Sequence, residues 1–149
     1  MRIGTSFARD WQLIKAARSL RRQDVAGPLV RELLRDAPPT LVAQIALIAG
    51  RLGEEDGAAL LARSEKGLNA PTLMEGLLLM WGIPCESREV AGEGITIILL
   101  GDESAFREVF ADERVAVPYL ASYARALQQD AALEPGAGGR MAIRFPAQE

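Results

Sequence analysis

The sequence predicts an α+β fold, mainly α: stacked antiparallel helical hairpins, then a small three-stranded sheet with two helices in β-β-α-α-β order. Three observations predict it. Apolar residues recur at three-to-four spacing through residues 7–82, the period of helices packed on one side. The phrase Pro39-Thr40-Leu41 returns 32 residues later as Pro71-Thr72-Leu73. After Pro84 the pattern changes to short β-branched runs bounded by glycine. Residues 7–82 and 84–146 are therefore read as two regions packed into one unit.

The elements follow in order. Phe7, Trp11, Ile14, Ala17 and Leu20 form one helix stripe. Asp24 offers an N-cap to a second helix striped by Val25, Leu29 and Leu33, with Pro28 near enough to its start to be tolerated. Pro38-Pro39 ends it, because a residue before proline is pushed out of the helical region. A third helix covers about 40–52. Gly53-Glu54-Glu55 is read as a turn into a fourth helix over about 56–66, with Gly67 just past its end. A fifth follows Pro71 and stops before Ile83-Pro84. "CESREV" and "ITIILL" flank "AGEG" as a hairpin, and the second run has no polar face, as a central strand covered on both sides requires. Asp102 caps a helix carrying Phe106, Val109 and Phe110; Pro118 opens another with Leu120, Tyr123 and Leu127. "EPGAGG" is a flexible connection, and "RMAIRF" alternates Met141, Ile143 and Phe145 with arginines as a last strand.

Shifted by 32, the chain also aligns Asp24 with Asp56, Leu29 with Leu61, Arg31 with Arg63 and Gly50 with Gly82. A period of this length marks stacked helical hairpins. With small residues at Ala26 and Ala58 and prolines near unit ends, residues 7–82 resemble the tetratricopeptide-repeat class. The period is shorter than that class's, and its tryptophan, Leu-Gly and tyrosine signature is absent. The resemblance implies a protein-binding scaffold.

Composition removes several chemistries. The 149 residues contain no histidine, the commonest general base and metal ligand, and a single cysteine, Cys85. Internal disulfides, thiolate metal cages and Ser-His-Asp catalysis are thereby excluded. A net charge of −3 and 5% aromatics argue against a polyanion-binding or base-stacking surface. Arginine exceeds lysine throughout, Lys15 and Lys66 being the two lysines, as codon usage in a GC-rich genome produces. No leader-like apolar core or membrane-length run is present, which predicts a cytoplasmic protein.

Candidate sites divide by class. No catalytic set, metal site or cofactor is indicated. Under the hairpin stack, the inner helices begin near Phe7, Thr40 and Thr72, and their polar residues Arg9, Gln12, Gln44 and Glu75 line a partner-binding groove. Met74, Met80 and Trp81 are large adaptable residues suited either to the core or to a partner surface. The basic run Arg18, Arg21 and Arg22 is read as a solvated helix face, and nucleic acid is not an expected partner. The expected function is a non-enzymatic bacterial adaptor or chaperone that binds another protein or peptide, with self-association open to a stack without polar caps. The alternative is a small ligand-binding or enzymatic domain whose site, Asp102 and Glu103, follows the buried strand beside the 85–100 hairpin.

Overall fold

The structure, a computed structural model, describes residues 25–64, 67–101 and 103–148. The expected stripe over 7–20, the Asp24 cap and the basic run lie outside the described residues. Five helices and a four-stranded sheet follow: α1 (Ala26–Arg35), α2 (Pro39–Arg63), α3 (Ala70–Met80), β1 (Cys85–Val90), β2 (Gly94–Leu99), α4 (Glu103–Phe110), α5 (Glu113–Leu127), β3 (Ala132–Pro135) and β4 (Met141–Pro146). The class is α+β, mainly α, as the sequence predicts. The strand count is four instead of three.

The duplicated phrase opens a helix each time. Pro39 is the first residue of α2 and Pro71 the second of α3, where a missing N–H costs nothing. Asn69 caps α3 by accepting the Thr72 N–H at 2.9 Å. Between these starts the expectation is corrected. Residues 53–55 make no turn, and α2 runs unbroken for 25 residues. Two separate helices over 40–52 and 56–66 are therefore not present.

The cause lies in α5. A Cβ on Gly53 would collide with the Tyr119 carbonyl oxygen, and one on Gly57 would come within 2.8 Å of both the Ala126 Cβ and the Tyr123 carbonyl oxygen. With Ala49 these glycines form a seam along which α2 lies against the α5 backbone. They keep helical geometry and serve close approach, where the sequence reading took Gly53 for a chain reversal. Across the same contact the Tyr119 hydroxyl donates to Asp56 Oδ2 at 2.6 Å. Burial, then this bond and the Asp56 charge, push the Tyr119 phenol well above its ordinary value and keep it a neutral donor.

α5 itself begins at Glu113, and Pro118 sits inside it instead of opening it. Its start is set by Asp112, whose Oδ1 accepts the Arg114 N–H at 2.8 Å. Arg114 also holds the carboxylate of Asp112, with Nη2 to Oδ2 at 2.8 Å, and donates to the Leu34 carbonyl oxygen at 2.8 Å. One arginine thus ties the end of α1 to the start of α5. The hydrogen bond from Arg114 holds the Asp112 carboxyl below its ordinary range, against a partial desolvation. The sign follows: the bridge stabilises fully above the unfolded carboxyl value near 3.9 and is lost as pH falls through the lower folded value. Asp112→Ala is expected to cost about 1 kcal/mol at pH 7 through the lost cap, with solvent screening limiting the charge share. Urea unfolding at pH 7 and near pH 2 should show the wild-type advantage shrinking in acid. An advantage independent of pH would refute the assignment.

The sheet is antiparallel throughout, in the order β1-β2-β4-β3. The expected hairpin pairs Cys85 with Leu99 through Val90 with Gly94. β3 is the strand that the reading of "EPGAGG" as a connection obscured; Glu134 and Pro135 belong to it and pair with Ala142 and Met141. β2 is central, as expected, but the described helices cover one of its faces, not both. Ile97 and Leu99 are buried under the helices, while Thr96 and Ile98 on the other face are half-buried and Leu100 is exposed. The helix-side rows join Ile97 to Ile143 and Leu133, and Ile95 to Phe145. These meet Leu73, Met74 and Leu78 of α3 and Leu120, Tyr123 and Leu127 of α5 in one core. The layers are sheet, then α3 with α5, then α2 on the far side of α5.

Candidate functional site

α2 spends one side on the seam with α5 and presents another that no described element fills. Leu41, Ile45, Ile48 and Leu52 recur at steps of four, three and four, the spacing of a coiled-coil stripe. Leu41 and Ile45 are half-buried, and Ile48 and Leu52 are 49% and 47% exposed. Leu78 and Leu120, in the finished core, are wholly buried. Leu47, further round the helix, is 75% exposed. α1 is joined to α2 by residues 36–38 but does not pack along it. α1 and its N-cap residue show their own exposed stripe, Val25, Leu29 and Leu33, while Leu34 is buried.

The residues expected to line a groove are not assembled into one. Arg9 and Gln12 lie outside the described residues. Gln44 is exposed on α2, one turn before Ile48. Glu75 is half-buried on α3, near enough to Cys85 for its charge to act there. α2 and α3 do not lie side by side, because α5 packs against both. Of the large residues, Met74 is core, Met80 is 84% exposed, and Trp81 joins a ring cluster with Phe110 at 5.6 Å, Tyr119 at 6.0 Å and Tyr123 at 6.3 Å. The Trp81 ring consequently ties α3 to α5.

For the alternative site, Asp102 and the Glu103 side chain lie outside the described residues; Glu103 is the first residue of α4. An open cleft lies nearby between α1, α4 and the start of α5, lined by Arg31, Arg35, Arg107 and Arg114 with Phe106 and Asp112. The guanidinium groups of Arg31, Arg35 and Arg114 have structural work. Arg31 donates to the Arg107 carbonyl oxygen at 3.3 Å, Arg35 pairs with Glu32 at 2.6 Å, and Arg114 holds Asp112 and Leu34. Burial, and the nearby Glu75 carboxylate, push the Cys85 thiol up, which disfavours the thiolate a nucleophile requires. Among the described residues no three metal-ligating side chains cluster, and no helix is long and apolar enough to cross a membrane.

Compared with protein families, curated proteins and solved structures, the chain matches none. The site must therefore be read from its own chemistry. Ile48 and Leu52 were hidden in a sequence stretch that is apolar on nearly every side. The steps of four and three from Leu41 to Leu52 were the available signal, but which side α5 would take was not written there.

Proposed function

We propose that this chain is a non-enzymatic protein-binding adaptor or chaperone whose binding surface is the outer side of α2. The supporting observation is the stripe Leu41, Ile45, Ile48 and Leu52, half-buried at its first two positions and exposed at its last two, along which no described element packs extensively although α1 is only a three-residue link away. A contiguous exposed apolar strip rimmed by polar residues is a mark of an interaction site. Gln44, Arg51 and Glu55, all exposed, supply that rim. The spacing suits an amphipathic helix of a partner, which would lay its own apolar positions between those of α2. The absence of histidine and the raised Cys85 thiol leave no corresponding support for an enzyme.

The test is the pair Ile48→Glu with Leu52→Glu. A partner recovered with the tagged wild type from cell extract, then purified and recombined with it, should bind the double variant at least about tenfold more weakly, a loss of about 1.4 kcal/mol or more. The thermal midpoint of the isolated protein should be unchanged. Binding that survives both substitutions would overturn the assignment. So would a large fall in the midpoint, since the stripe would then be covered from within the chain.

A further inference from the structure

We propose that the outer edge of β1, which pairs with no strand among the described residues, pairs antiparallel with the same edge of a second copy, centred on Ser87, to make a continuous eight-stranded sheet. β1 is an edge strand, and Glu86 to Val90 are all exposed. Exposure on the helix side, at Ser87 and Glu89, means that the helical layer stops short of this edge and leaves room for a neighbour.

The backbone sets which residues can bond outward. The Leu100 N–H donates to the Pro84 carbonyl oxygen at 2.8 Å, so Pro84 faces β2. Bonding alternates along an antiparallel strand, so Glu86, Arg88 and Val90 also direct their backbone groups to β2. Cys85, Ser87 and Glu89 direct theirs to the open edge. A two-fold axis at Ser87 then gives a bonded pair, Ser87 with Ser87 of the second copy, flanked by Cys85 opposite Glu89.

The side chains select this register. With Ser87 on the axis, Glu86 of each copy stands opposite Arg88 of the other, in the close non-bonded pairs where opposite charges attract most. Sliding one way puts Glu86 against Glu86; sliding the other way puts Arg88 against Arg88. Both are destabilising. Within one chain Arg88 Nε already meets Glu86 Oε1 at 3.0 Å, with both side chains about half exposed. That contact uses one guanidinium N–H and one carboxylate oxygen, so each side chain has further atoms with which to bond a partner row. Association would extend this bridge into an alternating ladder of four charges. Charged edges commonly prevent pairing. Here the alternation Glu86, Ser87, Arg88 is complementary to itself.

A six-residue edge buries far less than the roughly 1,200–2,000 Å² of a tight interface, so a weak, reversible dimer is expected. Sedimentation equilibrium of the full chain up to about 1 mM should show a monomer–dimer equilibrium in that weak range. Glu86→Arg alone and Arg88→Glu alone should each lose the dimer, because every cross-strand pair becomes like-charged. Mixing the two variants should restore association, as each then presents what the other lacks. Ser87→Pro should be monomeric yet keep its far-ultraviolet circular dichroism, since the Ser87 N–H is not used by β2. A wild type that stays monomeric at about 1 mM, a dimer unaffected by Ser87→Pro, or a mixture that associates no better than its components would overturn the proposal.

Discussion

Gly53→Ala should destabilise the protein by about 2–3 kcal/mol, although alanine is the better helix former by about 1 kcal/mol. The added methyl would fall on the Tyr119 carbonyl oxygen, a backbone atom in the middle of α5 that has no rotamer by which to move away. Relief requires α2 and α5 to separate, which loosens the glycine seam at Gly57 and weakens the Tyr119 hydroxyl bond to Asp56. Gly76 provides the control. It lies within α3, and nothing comes within 4 Å of a Cβ placed there. Gly76→Ala should therefore gain about 0.5–1 kcal/mol by lowering backbone entropy in the unfolded chain. Urea midpoints of the two variants should move in opposite directions. If Gly53→Ala also stabilised, the close approach of α2 to α5 would be wrong, and with it the side of α2 assigned to a partner.

This contrast also explains what the sequence could and could not disclose. Pro39 and Pro71 were readable because proline acts locally: it fixes its own φ and removes its own N–H, wherever the rest of the chain goes. Glycine is ambiguous for the opposite reason. Gly50 and Gly82, equivalent in the 32-residue repeat, have different uses: Gly50 lies within α2, close to Ser122, and Gly82 takes a left-handed φ of 75° just past α3. Whether a glycine turns the chain or admits a neighbour depends on a partner element remote in sequence, here α5. Pro118 is ambiguous likewise, because the start of α5 is marked by Asp112 six residues earlier, and a proline near a helix start resembles one at it.

Strand β3 was missed because its four residues end in proline and run directly into glycine. The hint was Leu133, placed to face Ile143 across a short reversal. The surfaces that matter for function were less visible still. The stripe on α2 becomes a surface only once α5 has taken the glycine side. β1 becomes an edge only once the strand order is known. Both are consequences of topology, which residue chemistry along the chain does not specify. Gln44 and Glu75 stand out in the sequence as polar residues within apolar runs, a signal that does not tell that Glu75 lies on a helix that does not adjoin α2.

Phe145→Ala should be the most damaging of the substitutions considered, costing about 3–5 kcal/mol and much of the folded population. Phe145 is 1% exposed at the end of β4, paired across the sheet with Ile95 and set in the core with Leu120, Tyr123 and Leu127. Its loss removes a large apolar group from the one layer where both halves of the sequence meet, since Leu73, Met74 and Leu78 of α3 close the same core. The surroundings have little freedom to collapse into the space. Next to it the Gly94 backbone already lies against that of Phe145 and Pro146, and the buried Gln128 amide donates to the Pro146 carbonyl oxygen at 2.8 Å, pinning the end of α5 to β4. Phe145→Leu should cost clearly less, about 1–2 kcal/mol, because it keeps most of the buried volume. Denaturant unfolding of Phe145→Ala in a Trp11→Phe background, followed separately by the fluorescence of Trp81, the residue that caps the end of α3, and by far-ultraviolet circular dichroism, should give coincident transitions. Separate transitions would mean that α3 and the sheet are stabilised independently, and the shared core would then not be the unit that folds.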